Sequence, residues 1–340
     1  MEFPPMPGVR LPVFEDGTPE WQEQRREGIG SSDASIILGL SQYGSPRSLW
    51  MDKTGRSPYQ RVTPEMERLR KFGHIMEPVI RELTATELGI GIMKPEGAVR
   101  NEQIPWLRAN LDGWTTDGRV AEFKNVHQSQ AGQWDGQIPD HAELQVHHSG
   151  LVLGVRYAVV GGLIGGNRIA VYELDLNSAI ADIVYEAEAE FWKFVETDTP
   201  PPVDGHEKTL EVLLSEWPSR PEPKQVDEME VAQWLYQYHD SVAAEKEAQR
   251  RKREAQAKIA EILDGHDVLE DDGRVLASVS GGQLNVARLS EERPELWEKY
   301  QTTKPVFDTK RFKQDYADIY KDFQHKSVRV AKRGRHNHGR

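Results

Sequence analysis

Apolar and polar residues alternate in two runs near the middle of the chain. The first breaks at Asp112-Gly113, Asp117-Gly118 supplies a hairpin turn, and the second run covers 119–126. Residues two apart in a strand share a face, so Glu122 and Lys124 point one way and Phe123 the other. Residues 97–109 predict a strand leading into this hairpin. The period changes to helical over 65–71 and 74–88, where Ile75, Val79, Ile80, Leu83 and Leu88 form one stripe. Pro78 either begins the second segment or kinks a longer helix. Short helices are predicted at 21–26, at 34–38 behind the capping types Ser31, Ser32 and Asp33, and at 47–53. Residues 139–150 read as a helix, and 155–164 with 168–176 as a hairpin around Gly165-Gly166-Asn167. An amphipathic helix follows at 179–195, with Ile180, Val184, Ala187, Phe191 and Phe194 on its stripe.

Past the triple proline 200–202 the pattern loosens. A polar connector (204–225) leads to a long charged helix over 226–263. Val231, Leu235, Tyr238 and Val242 open an apolar seam on it, and Ile259, Ile262 and Leu263 close it. Residues 273–280 and 282–287 predict a small hairpin, with a last short helix after Phe307. The organisation expected is a Pro-rich extended arm (1–17), a domain at 18–205, a mainly helical C-terminal region at 206–325, and a basic, disordered tail at 326–340.

A length of 340 residues suffices to bury a real core, and 37% hydrophobic with 29% charged residues is the balance of a soluble globular protein. No run is long enough to span a membrane, and the amino terminus lacks a signal-peptide layout, so a cytoplasmic protein is expected. The absence of cysteine excludes disulfides, thiolate zinc sites and iron–sulfur clusters. The net charge of −12 argues against a general nucleic-acid coat protein. It leaves room for a nuclease, whose carboxylate metal site reaches phosphate through a local groove.

The chemistry concentrates in the central hairpin. Read plainly, Glu122 and Lys124 are a surface ion pair on an exposed strand. Read functionally, Asp112 and Glu122 meet across the hairpin to hold a divalent cation while Lys124 faces a substrate. Glu77 by itself is a first-turn carboxylate favoured by the helix dipole. Arg25 with Ser32 at a helix N-terminus has the makings of a phosphate site, and equally of an ordinary capped helix. His141, His147 and His148 have no metal-ligand spacing.

Asp-Gly, about ten residues, then Glu-hydrophobic-Lys is the motif of the PD-(D/E)XK nucleases, with Leu111 in the place of the usual proline. Its flanks sharpen the match. Trp21-x3-Arg25-x2-Gly28-Ile-Gly-Ser-Ser32-Asp-Ala, Leu49-Trp50-x3-Thr54-Gly55, Phe72-Gly73-x3-Glu77-Pro78 and Leu144-Gln145-Val146 follow in order. With these, residues 18–205 resemble the YqaJ-type viral recombinases, the phage lambda exonuclease family. The resemblance implies an α/β restriction-endonuclease-like core, a central mixed sheet flanked by helices. It implies Mg²⁺, with Mn²⁺ as a substitute, on Asp112, Glu122 and the Phe123 backbone carbonyl. Glu77, Lys124 and Gln145 would complete the catalytic set, and Arg25 and Ser32 would bind the 5′-terminal phosphate of the degraded strand. Asn110 stands where the family has a third phosphate-binding serine. The implied activity is 5′→3′ degradation of one strand of linear duplex DNA, leaving a 3′ overhang for recombination. A ring-shaped homotrimer and a single-strand annealing protein are the partners implied. A metal-dependent endonuclease on the same core, or a non-catalytic DNA-end-binding module, are the other readings.

Overall fold

The computed structural model describes residues 2–57, 64–215, 217–218, 220, 222–281, 286–300, 307–322 and 327–328. The chain divides into two compact units, Met1–Pro218 and Ser219–Arg340.

The first unit begins with an extended arm carrying β1 (Val9–Arg10), then α1 (Pro19–Arg26). Thr18 caps α1 by accepting the Trp21 N–H, with Pro19 at its first position. A single 3₁₀ turn (Ser31–Asp33) leads into α2 (Ala34–Ile37). A reciprocal capping box between Ser45 and Ser48 starts α3 (Pro46–Lys53). Helix α4 (Pro64–Leu88) runs unbroken through Pro78, so the proline neither starts nor ends a helix. Its buried row also differs from the expected stripe. Ile80 and Thr84 are buried with Met76 and Leu88 partly so, whereas Ile75, Val79 and Leu83 are exposed. The i, i+4 row chosen by the sheet is the one beginning at Met76.

Short strands β2 (Ile92–Met93), β3 (Val99–Arg100) and β4 (Arg108–Ala109) follow. The continuous strand expected over 97–109 is thus two short ones. Asn101 breaks it, its side chain accepting the backbone N–H groups of Gln103 and Ile104. Strands β5 (Gly113–Thr115) and β6 (Val120–Val126) make the central hairpin, with Gly118 at φ 81 in its turn. After a 3₁₀ segment (Gln128–Trp134) come α5 (Asp140–Leu153), β7 (Tyr157–Ile164), β8 (Arg168–Asp175) and α6 (Ser178–Glu196).

The main sheet has the order β2-β5-β6-β7-β8, antiparallel except for the parallel β6–β7 pair. One face packs on α4 through Ala121, Phe123, Val159 and Leu163 against Ile80. The other buries Val120, Ala158, Val160 and Ile164 with Val146 of α5 and Trp134. This is the expected α/β class, a mixed sheet between helices. Two glycines on β7 let the layers close. A Cβ on Gly161 would stand 2.2 Å from Thr84 Oγ1 of α4, and one on Gly162 2.5 Å from the Trp134 ring. Removing Phe123 to alanine from this interface should cost about 3–5 kcal/mol.

The stripe of α6 holds in part. Val184 and Phe191 are buried, but so is Glu188, a carboxylate the apolar pattern did not announce. The first unit continues past the triple proline, because α7 (Glu207–Ser215) packs on α3. Thr209 Oγ1 lies 2.8 Å from Ser45 Oγ, and Val212 joins the cluster around Trp50.

In the second unit α8 (Glu228–Leu263) is capped by Asp227 and leads to a hairpin of β9 (Val268–Asp271) and β10 (Arg274–Ser278). The strand expected after Gly273 therefore pairs with the segment before it, since Asp272 and Gly273 both take positive φ and make the turn. Of the second expected strand, 282–285 lie outside the described residues. Among the described residues that follow are the short helices α9 (Val286–Glu292), α10 (Pro294–Tyr300), α11 (Thr309–Asp315) and α12 (Ala317–Asp322). Apart from residues 327–328, the basic tail at 326–340 lies outside the described residues. Among the described residues no helix is long and apolar enough to cross a membrane.

Candidate active site

The hairpin register brings the two candidate ligands together. Gly113 pairs with Ala121 and Trp114 with Val120, so the next antiparallel step sets Asp112 opposite Glu122. The Phe123 N–H donates to Asp112 Oδ2 at 3.0 Å and holds that carboxylate at the strand end. Burial and the neighbouring charge of Glu122 push the Asp112 pKa up to about 8, against the pull of Lys124 and the Phe123 N–H. Two carboxylates forced together in this way favour a bound cation. Their oxygens, with the Phe123 carbonyl, are the donors that suit Mg²⁺ or Mn²⁺. Among the described residues no three His, Asp or Glu side chains form a group that could hold a metal ion.

Phe123 is buried toward α4, while Glu122 and Lys124 turn to the α5 side, as the alternation requires. Lys124 Nζ lies 2.5 Å from Glu122 Oε1 and donates to Gln145 Oε1 of α5. The four side chains Asp112, Glu122, Lys124 and Gln145 are therefore one cluster. Glu77 sits in the middle of α4 rather than in its first turn, and its side chain is 13% exposed, so the dipole explanation does not apply. Lys94 Nζ stands 2.6 Å from its Oε1, with Arg81 Nη1 at 3.4 Å. The same Arg81 nitrogen is 3.4 Å from the Asp112 carbonyl, which ties Glu77 to the hairpin.

A cavity of about 530 Å³ joins this cluster to the second candidate site. Its wall includes Glu77, Asp112, Glu122, Lys124 and Gln145, and also Arg25, Ser32 and Asn110. The Arg25 guanidinium lies over the Trp21 ring at 4.8 Å, in the last turn of α1. Ser32 is exposed on the 3₁₀ turn. Asp33 reaches back to accept the Gly30 N–H at 2.9 Å, so it shapes the turn rather than capping a regular helix. All seven residues named for catalysis and phosphate binding, Arg25, Ser32, Glu77, Asp112, Glu122, Lys124 and Gln145, line this one cavity.

Residues 20–155 match the YqaJ-like viral recombinase domain. Residues 20–155 are such a domain. Over 213 residues the chain is 32% identical to the uncharacterized protein YqaJ of Bacillus subtilis (strain 168), an alignment covering 61% of this chain and 66% of that protein. The chain thus spans just under two thirds of the length of the curated relative it matches. Among solved structures it is similar to the alkaline exonuclease LHK-Exo from Laribacter hongkongensis, with a TM-score of 0.44 and 16% identity. That superposition covers 54% of this chain and 94% of the other. A phage related exonuclease from Haemophilus somnus 129PT is similar over 50% of this chain and 94% of its own, with a TM-score of 0.38 and 11% identity.

Arg81, Lys94 and Lys53, in or beside the recombinase-domain site, were not singled out from the sequence, whereas His141, His147 and His148 were weighed as metal ligands. Arg81 lies one helical turn from Glu77, a spacing that was legible. Lys94 reaches Glu77 only because β2 and α4 pack together. Lys53, on α3, is buried in an ion pair with Asp33 at 2.7 Å. His141 stands one turn before Gln145 on α5. Burial and the charge of Lys124 lower its pKa, with Glu122 pulling the other way. His147 and His148 are not ligands. The Asn177 N–H donates to His147 Nε2, so His147 donates from Nδ1 to the Glu143 carbonyl, and His148 is locked between Glu188 and the Arg108 carbonyl.

Proposed function

We propose that this protein is a metal-dependent exodeoxyribonuclease that degrades one strand of linear double-stranded DNA in the 5′→3′ direction and leaves a 3′ overhang for phage-type recombination. The observation that carries the reading is that one cavity is lined both by the opposed carboxylates with Lys124 and by Arg25 with Ser32. A divalent cation on Asp112, Glu122 and the Phe123 carbonyl, Mg²⁺ or in its place Mn²⁺, would lower the pKa of water and offset charge on the leaving oxygen.

The protein's own groups do the rest. Lys124, held between Glu122 and Gln145, presents an ammonium that can orient the attacking water or stabilise charge building on phosphorus. Glu77 accepts from Lys94 and Arg81 and keeps an oxygen near the hairpin to orient that water. Arg25 and Ser32 bind the 5′-terminal phosphate by charge-assisted hydrogen bonds, with the Asn110 amide nearby. Anchoring a terminal phosphate in the same cavity as the hydrolytic groups gives a preference for DNA ends. The protein would act in the host cytoplasm on double-stranded DNA ends, as a ring-shaped homotrimer alongside a single-strand annealing protein.

The test is incubation with Mg²⁺ and labelled linear duplex, 5′-phosphorylated or 5′-hydroxyl, beside closed circular duplex and a Glu122→Ala/Lys124→Ala control. The expected result is Mg²⁺-dependent loss of the 5′-phosphorylated strand, absent on circles and in the control. Cutting of circles would move the assignment to an endonuclease. End binding without cleavage in Mg²⁺ or Mn²⁺ would reduce the protein to a DNA-end-binding module.

A further inference from the structure

Lys53 is a deeply buried lysine, with 2% of its side chain exposed. It ends α3, a helix fixed at its start by the Ser45–Ser48 box and at its flank by the Trp50 Nε1 bond to the Phe194 carbonyl. Its ammonium has two partners from different segments. One is Asp33 Oδ2 at 2.7 Å, and the other is the backbone carbonyl of Arg25 at 2.9 Å. The second bond satisfies a carbonyl in the last turn of α1 that has no partner further along the helix. The first fixes the carboxylate that holds the Gly30 N–H, and with it the turn carrying Ser32. One ammonium therefore joins the two backbone segments that present Arg25 and Ser32 to the cavity.

Burial works against the charged form of Asp33, but Lys53 and Arg25 together hold its carboxyl below the usual range. Arg25 is thus near enough to feel Asp33, yet its guanidinium lies over Trp21 and lines the cavity. Without the ammonium of Lys53, the buried Asp33 carboxylate would have Arg25 as its main cation, and an unpaired buried charge is expensive. The guanidinium would be drawn to Asp33 and away from any phosphate.

We propose that Lys53 is a positioning residue for 5′-phosphate recognition, neutralising Asp33 so that Arg25 remains available to the terminal phosphate of a DNA strand. The proposal rests on the reading of Arg25 as a phosphate ligand. The experiment measures binding of 5′-phosphorylated and 5′-hydroxyl duplex ends by fluorescence anisotropy in metal-free buffer, so cleavage plays no part. Wild type, Arg25→Ala, Lys53→Met and the double variant Lys53→Met/Asp33→Asn are compared, each with a thermal melt.

Lys53→Met should lower the preference for phosphorylated ends by about tenfold, the effect of roughly one charge-assisted contact. The double variant should recover most of it, because the neutral amide introduced by Asp33→Asn no longer attracts Arg25 and its oxygen still accepts from Gly30. A role in stability alone would lower the melting temperature of Lys53→Met and leave the preference unchanged. Full preference in folded Lys53→Met, with loss in Arg25→Ala, would overturn the role of Lys53 and leave the phosphate reading standing. No effect of Arg25→Ala would overturn the phosphate reading and this proposal with it. Should Lys53→Met fail to fold, the double variant decides: wild-type preference supports the proposal, and a folded double variant without it overturns it.

Discussion

Helix α5 belongs to two charged clusters of opposite character. Through Gln145 it meets the Lys124–Glu122 pair, whose side chains keep 23% and 12% of their surface exposed on the cavity wall. Through His148 it meets Glu188, and that pair keeps 0% and 1%. The His148–Glu188 pair is closed off from solvent, with Glu188 Oε2 left without a hydrogen-bond partner. His148 reaches Glu188 Oε1 at 2.7 Å and the Arg108 carbonyl at 2.8 Å, and so ties α5 to α6 and β4. In the cavity cluster Asp112 is crowded by Glu122 and Glu77, while Lys124 lies on Glu122 and Lys94 with Arg81 on Glu77. A buried pair that joins three elements holds them together, whereas a carboxylate with a strongly raised pKa on a cavity wall marks a candidate site.

The largest effect should separate the clusters cleanly. Glu122→Ala is expected to lower Mg²⁺-dependent cleavage on the order of 10⁴-fold, about 5 kcal/mol of barrier, with an unchanged melt. A variant that unfolds instead would make the cavity cluster a structural pair like its neighbour. Next, Glu188→Ala leaves His148 buried without its carboxylate and should cost about 3–5 kcal/mol in denaturant unfolding. Cleavage per folded molecule should stay near wild type.

The pair also has a pH signature. Burial opposes the charged imidazole, but Glu188 outweighs it and holds the His148 pKa above its usual value. The stabilisation is therefore fully present below about pH 6.5 and is lost as the pH rises through the folded value. Unfolding curves of Glu188→Gln should lack that decline, and an undiminished decline would remove His148 as its source.

Asp112 gives a smaller effect, on metal rather than on folding partners. With its pKa raised from 3.8 to about 8, a cation must displace a proton there below that pH. The Mg²⁺ concentration for half-maximal activity should fall about tenfold per pH unit up to about pH 8 and level off above it. The sign for the metal-free protein is the reverse of a salt-bridged carboxylate. The unfolded chain ionises this group first, so the group's contribution to stability declines between pH 3.8 and about 8 and divalent metal restores it. The smallest effect belongs to Arg156→Ala. Its bidentate pair with Asp175 lies on the surface, with 68% and 51% of the two side chains exposed, and the melt should not change measurably.

Much of the site was readable from residue order. Strand alternation placed Glu122 and Lys124 on one face and Phe123 on the other, and the Asp-Gly turn set the register that opposes Asp112 to Glu122. The mixed sheet with flanking helices is what the family resemblance implied. Failures occurred where a partner decided the outcome. The stripe expected on α4 held at Ile80 and Leu88 but not at Ile75, Val79 and Leu83, because contact with β6 and β7 selected the row of Met76, Ile80 and Thr84. Glu188 broke the stripe of α6 because its neutralising partner is His148, 40 residues away.

The sequence by itself determined the local features: the hairpin, the caps of α1 and α3, and the carboxylates and lysine at fixed strand spacing. These depend on dihedral preferences and on interactions between residues a few positions apart, which the order of residues specifies directly. Only the tertiary structure decided which charges share a space. Lys53 meets Asp33, Lys94 meets Glu77, and Arg25 opens into the same cavity as Asp112 because packed helices and strands bring distant segments within a few ångströms. Electrostatic energy depends on that separation and on the burial around it, and neither is a property of sequence distance.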